Sequence, residues 1–233
     1  MHVENAYQEG VLKITDRRIE LDGPIIYGTG EYVTQRIHFF NNVSHEFPIF
    51  IVINYSPGGS VMEGYRILKA MEASEAPIYV VVKSFAASMA AVIATMGDQS
   101  FAYQNAIMLH HQPSSWNIGN LREQKEYVEI FQEWAKRLHG PVAQKMGVSL
   151  DAFYNRMYEK SSTGDWQEFA DQAISLKWLD HVVEQIQEKG IVKEPHSKSP
   201  YQLLKHHAYD EATNEIDSGF VRLPQLRPFD MYM

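Results

Sequence analysis

Two short, uninterrupted apolar runs constrain the fold of this chain more than any other feature. They read PIFIVI at residues 48–53 and PIYVVV at residues 77–82, with apolar side chains at consecutive positions. A strand of this kind is covered on both faces, which is typical of a parallel sheet between other layers. We therefore predict an α/β protein built around these two strands.

Segments with apolar residues at helical spacing alternate with these strands. One occupies residues 30–43, a second starts at Ser60 with Glu63 in a capping-box pattern, and a third covers residues 86–96. Another strand is predicted over residues 106–109. Strands and helices joined by short connections predict a largely parallel sheet.

The second half of the chain is predicted to be helical. Residues 120–139 form a helix that ends at Gly140-Pro141, and its length of about 30 Å would let it project from a compact domain. Ser149 is expected to cap a further helix, and residues 166–175 to form another.

The composition changes after about residue 190. We predict a domain over 1–190 and an extension over 191–233, which is rich in proline and histidine and ends in apolar and aromatic residues. A solvated linker lacks such residues, so we expect the extension to dock on its own domain or on a neighbour.

Charge and composition exclude several classes of protein. The net charge of −8 argues against a nucleic-acid partner. No apolar run reaches the roughly 20 residues that span a bilayer, and the first residues do not resemble a secretion signal, so we predict a cytoplasmic protein without a membrane partner. There is no cysteine, and the adjacent histidines His206-His207, with His196, lack ligand spacing, so no metal or cofactor is predicted.

Three loops leave the carboxyl ends of the predicted strands, where α/β proteins bind ligands. They are residues 56–60, 84–88 and 110–113. Glycines in the first loop would let backbone N–H groups approach a carbonyl oxygen that gains negative charge. The second loop carries Ser88, a possible nucleophile, and the third carries two histidines of which either could be its base.

Three motifs occur in an order that is similar to that of the ClpP family of serine peptidases: INYSPGGS at 53–60, AASMA at 86–90 and MLHHQP at 108–113. This resemblance covers residues 12–185. It implies that Ser88 is the nucleophile and that His111, rather than His110, is the base. It also implies that the backbone N–H groups of Gly59 and Met89 form the oxyanion hole.

The acid of the triad is implied by counting back from the WLD segment at 178–180, which leads to Asp165. Glu159 and Asp171 are the alternatives. The chain departs from the family pattern at Tyr55, which is inserted before the Ser-Pro-Gly-Gly turn, and at Ser84 and Ala90, which replace glycines.

The resemblance implies the ClpP/crotonase-like fold, with repeated β-β-α units, a parallel sheet and a long handle helix over 121–138. It implies a ring-shaped homo-oligomer that cleaves unfolded polypeptides inside a chamber. Because the sequence contains no P-loop motif, an AAA+ unfoldase would be a separate protein. The alternatives are a catalytically inactive ring subunit of this fold and an acyl-CoA enzyme of the crotonase superfamily.

Overall fold

The computed structural model describes residues 6–190, so the predicted extension and its histidines lie outside the described residues. Within 6–190, no helix is both long and apolar enough to cross a bilayer. The strands are β1 Tyr7–Gln8, β2 Val11–Ile14, β3 Arg18–Glu20, β4 Ile49–Ser56, β5 Ile78–Ala87, β6 Gln99–Tyr103, β7 Ile107–His110, β8 Trp166–Phe169, β9 His181–Val183 and β10 Gln185–Glu188. The helices are α1 Thr29–Val43, α2 Val61–Glu72, α3 Met89–Thr95, α4 Leu121–Met146, α5 Leu150–Lys160 and α6 Ala170–Ser175.

A parallel sheet in the order β3-β4-β5-β6-β9 forms the centre of the domain, which confirms the predicted α/β class. A smaller sheet in the order β1-β2-β10 covers one face of it. Along β4, Ile51 and Ile53 pack toward the helices, whereas Phe50 and Val52 pack toward the small sheet. Side chains alternate across a strand, so the consecutive apolar residues of β4 fill two separate cores.

Strand β5 changes partners along its length. Its first half pairs with β6 through residues 79–82, and its second half pairs with β7 through residues 85–87. Strand β8 then adds to β7 in the antiparallel direction. This fork brings the ends of β5, β7 and β8 together at one edge of the sheet.

Two predicted boundaries were wrong. The small residues Ala86 and Ala87, predicted as the start of a helix, are the last residues of β5, and α3 begins only at Met89. Helix α4 does not end at Gly140-Pro141 but continues to Met146 and is closed by Gly147 in the left-handed conformation. Leu138, His139, Val142 and Ala143 are buried on either side of the proline, and this packing offsets the hydrogen bond that Pro141 cannot donate.

The segment over 166–175 was predicted to be one helix but forms β8 followed by α6. By contrast, the predicted cap of α5 is confirmed, because the Ser149 hydroxyl accepts a hydrogen bond from the Ala152 N–H at 3.1 Å. Half of the predicted capping box of α2 forms: the Ser60 hydroxyl accepts from the Glu63 N–H. The Glu63 carboxylate instead accepts from the N–H groups of Gly28 and Gly30 before and within the first turn of α1.

Candidate active site

Ser88 occupies the single residue between the end of β5 and the start of α3. Its backbone has φ 59° and ψ −127°, a conformation with positive φ that few residues other than glycine adopt. Holding such a residue costs about 1–3 kcal/mol, and strain of this kind is often found at functional sites. The side chain is 1% exposed, and its Oγ contacts no hydrogen-bond partner within the described protein.

Strand β7 holds this turn in place. The Ser88 N–H donates to the Leu109 carbonyl at 2.8 Å, and Ala87 is the register partner of Leu109. One step further along both strands, Ser88 comes level with His110, and His111 follows at the carboxyl end of β7. A serine and a histidine therefore follow the carboxyl ends of neighbouring strands at the same edge of the sheet.

The two adjacent histidines have different environments. His110 is fully buried, with Nε2 3.2 Å from the Thr95 hydroxyl and its ring in edge contact with Trp178 at 4.5 Å between centroids. Successive side chains on a strand point to opposite faces, and His111 is only partly buried. Of the pair, His110 is part of the core, whereas His111 is partly exposed.

Asp165 comes immediately before β8, whose register determines what lies opposite it. In this antiparallel pair Leu109 faces Gln167 and His110 faces Trp166, so the next step sets His111 opposite Asp165. Directly opposed residues on such strands have Cβ atoms about 4.5–5.5 Å apart. Asp165 is exposed, and its Oδ2 accepts a hydrogen bond from the Thr163 hydroxyl at 2.7 Å.

The two alternative acids lie elsewhere. Asp171 is in the first turn of α6, beyond the far end of β8, where Phe169 pairs with Ile107 rather than with the histidine end of β7. Glu159 is exposed in the last turn of α5. The register thus favours Asp165 over both.

The Gly58-Gly59 turn packs directly against Ser88. A Cβ atom added to Gly58 would lie 2.6 Å from Ser88 Cβ and 2.8 Å from Met89 N. Gly59 bridges to Ile25, and a Cβ there would lie 2.3 Å from the Ile25 carbonyl oxygen. The N–H of Met89 has no acceptor within α3 because it is the first helical residue. Backbone amides therefore lie beside the serine.

The inserted Tyr55 lies opposite Phe85 at the end of β4, and the two rings stack at 5.2 Å. The register shifts here, because two steps along β4 match three along β5. Side chains supply hydrogen bonds to the backbone of Asn54 at this irregularity. Asp22 accepts from the Asn54 N–H at 2.6 Å, and the Ser84 hydroxyl donates to the Asn54 carbonyl. The extra residue of this irregularity lies on β5, Tyr55 keeps a register partner, and Gly58 contacts the serine turn.

His139 on α4 is a buried histidine that sequence reasoning missed. Its Nδ1 lies 3.2 Å from the Tyr154 hydroxyl, and its ring contacts Phe153, which His110 also contacts. Burial and the nearby charge of His111 lower the pKa of His139 to about 3. Burial, together with His139 and His111, lowers the pKa of His110 well below its ordinary value. A helical periodicity that continues past Pro141 could have indicated the burial of His139.

We expect these two histidines to make the protein acid-labile. Both stay neutral when folded but bind a proton near pH 6.5 when unfolded, so the stability present above that pH is lost as the pH falls. With a folded pKa of about 3, His139 should lower the free energy of unfolding by about 2 kcal/mol between pH 7 and pH 5, and His110 should act in the same direction. Urea unfolding at both pH values measures this loss.

His139→Gln should reduce the loss by about 2 kcal/mol, whatever its effect at pH 7. His45→Gln is the matched control, since the His45 side chain is 66% exposed, and it should leave the loss unchanged. An equal pH dependence in wild type and His139→Gln would contradict the prediction.

Within residues 6–190, no group of three or more histidine, aspartate or glutamate side chains is arranged to hold a metal ion. The described site brings together a strained serine, a histidine, a carboxylate and neighbouring backbone amides. Such a set is suited to nucleophilic attack on a carbonyl carbon.

The covered parallel sheet and the amide-lined serine turn define an α/β protein of the ClpP/crotonase fold class. A family model described as Clp protease matches residues 4–185. The chain belongs to the Clp protease family, and this membership identifies it as a peptidase.

Similar proteins include the ATP-dependent Clp protease proteolytic subunits of Streptococcus pyogenes serotype M5 (strain Manfredo), serotype M49 (strain NZ131) and serotype M1. Each is 26% identical over 185 residues, which cover 78% of this chain and 91% of the relative. The chain is thus a divergent member of the family.

Proposed function

We propose that the protein is a serine endopeptidase in which Ser88 is the nucleophile, His111 the base and Asp165 the acid. One observation supports this above all others: the registers of β5 with β7 and of β7 with β8 bring the three residues to neighbouring strand ends. The conformation of Ser88, which turns its side chain out of the strand direction at a helix start, agrees with this role.

In this mechanism, His111 accepts the proton of the Ser88 hydroxyl as Oγ attacks the carbonyl carbon of the scissile peptide. Asp165 orients the imidazole ring and stabilises the imidazolium that forms. The N–H groups of Gly59 and Met89 donate to the oxyanion of the tetrahedral intermediate. His111 then donates its proton to the leaving amine, and a water molecule hydrolyses the acyl-enzyme.

The proposal for assembly and substrate rests on the family. The names of the curated relatives describe them as proteolytic subunits of an ATP-dependent protease. By analogy, we propose that this chain forms a ring-shaped homo-oligomer, cleaves unfolded polypeptides inside it and receives them from a separate AAA+ unfoldase. The cytoplasm remains the predicted location.

The test combines a fluorophosphonate probe, peptide mapping and native mass measurement. The probe should label Ser88 stoichiometrically, and the labelled species should have the mass of an intact oligomer. Unlabelled protein should hydrolyse short fluorogenic peptides, and prior labelling should abolish this activity.

An intact oligomer that neither reacts with the probe nor cleaves peptides would overturn the proposal in favour of an inactive ring subunit. The insertion of Tyr55 is a departure from the family pattern that favours such a subunit, but its placement leaves Gly58 in contact with Ser88. Binding of an acyl-CoA by an oligomer that the probe does not label would instead favour the crotonase alternative.

A further inference from the structure

The residues just before Asp165 form a tight turn that orients its carboxylate. The Gly164 N–H donates to the Ser161 carbonyl at 3.0 Å, which closes the turn. The Ser161 and Thr163 hydroxyls lie 2.9 Å apart, and the Thr163 hydroxyl donates to Asp165 Oδ2. Local bonds therefore set the direction of the carboxylate, but they do not attach the turn to the rest of the site.

Tyr158 makes that attachment. Its ring lies against Gly164, where an added Cβ would come within 3.1 Å of the ring carbons Cε1 and Cζ. Gly164 has φ +79°, so both the space and the backbone conformation require glycine. The Tyr158 hydroxyl donates to Gln112 Oε1 at 3.1 Å, and Gln112 directly follows His111. One side chain thus contacts the turn before the acid and the residue after the base.

We propose that Tyr158 is a positioning residue that holds the Asp165 turn in register with His111, and this inference rests on the proposed function. Register pairing ends at His110 and Trp166, so the next pair, His111 with Asp165, lies beyond the last paired residues of the two strands. Asp165 is exposed, and no ladder bond confines it. The link through Tyr158 and Gln112 restrains the pair at the point where the strands no longer do.

Burial argues for positioning rather than for core stability. Tyr158 is 51% exposed, and removing a hydroxyl at such a site has a small effect on folding. A misplacement of a catalytic group, however, lowers the rate of the chemical step while leaving substrate binding intact.

The test begins with Tyr158→Phe in the full chain. We expect kcat for a fluorogenic peptide to fall about tenfold with KM unchanged. Tyr32→Phe is the matched control: Tyr32 is a partly exposed tyrosine on α1 whose ring stacks under Arg36, and this substitution should leave both parameters unchanged.

A double-mutant cycle with Gln112→Leu tests whether the hydroxyl acts through Gln112. If it does, the double variant should be no slower than the slower single variant, because both substitutions remove one interaction. Losses in kcat that multiply in the double variant would overturn the proposed link.

Hydrogen exchange separates this inference from the proposed function. In Tyr158→Phe, the amides of residues 161–165 should exchange several-fold faster, while those of α1 stay unchanged. Unchanged exchange and unchanged kcat in an otherwise active protein would overturn this inference alone. A wild-type oligomer that the probe never labels would overturn the proposed function and any catalytic role of Tyr158 with it.

Discussion

His111→Phe is expected to reduce kcat/KM by on the order of 10⁴-fold or more, the effect of removing the base of a serine triad. The neighbouring substitution, His110→Phe, should keep kcat/KM within about threefold of wild type. The reason is burial: His110 packs among Trp178, Phe153 and Thr95 in the core, whereas His111 is partly exposed beside the serine turn. Peptide hydrolysis by purified oligomers measures both.

Because the two variants carry the same substitution at adjacent positions, each controls for the other. Phenylalanine is larger than histidine and leaves the Thr95 hydroxyl without this partner, so the melting temperature of His110→Phe is recorded separately to account for any loss of stability. Equal losses of activity in the two variants, or a larger loss in His110→Phe, would contradict the assignment of His111 as the base.

Gly58→Ala should abolish labelling of Ser88 and lower the free energy of unfolding by more than about 2 kcal/mol. Two effects combine at this position. Its φ of +83° strains any residue with a Cβ, and the added atom would lie 2.6 Å from both the Ala87 carbonyl oxygen and Ser88 Cβ. Since the nearest atoms are backbone and the Cβ atom of Ser88, the proposed nucleophile, relief of the clash requires displacement of the serine turn. Denaturant unfolding and probe labelling measure the two effects.

Gly23→Ala is the control that separates the cost of the backbone conformation from the cost of the steric clash. Gly23 has a similar φ of +75°, but an added Cβ would have no atom within 4 Å. We expect a loss of only about 1–2 kcal/mol from the backbone conformation, with Ser88 labelling preserved. If Gly58→Ala behaves like Gly23→Ala, the contact between the glycine turn and the serine turn is not required for the site.

The central strands could be predicted from the sequence because their apolar runs admit few other interpretations. The boundary beside Ser88 could not. Residues 86–96 are small and apolar, and alanine favours helices when considered alone. In the structure, Ala86 and Ala87 pair with Met108 and Leu109, so a contact with a distant segment overrides the local preference.

The structural effect of the departures from the family pattern could not be predicted from the sequence either. Tyr55 and Ser84 are far apart in sequence, yet they belong to one irregularity, where the strands β4 and β5 shift register. Counting residues led to Asp165, but the argument from register against Asp171 needed β8, which had been predicted as helix. The sequence alone does not indicate a role for Thr163 or Tyr158. The Thr163 hydroxyl reaches the Asp165 carboxylate only because the chain turns there, and the Tyr158 hydroxyl reaches Gln112 only in the folded protein.

The small sheet has a mechanical consequence. Strand β2, near the start of the described residues, pairs in parallel with β10, the last described strand. Strands β1 and β2 are antiparallel. Tension on both ends of residues 6–190 would first peel β1 from β2, breaking its bonds one at a time. It would then shear β2 against β10, loading together the register from Val11 with Gln185 to Ile14 with Glu188. Extension of residues 6–190 from both ends therefore meets little resistance while β1 separates from β2, and much greater resistance when β2 is sheared against β10.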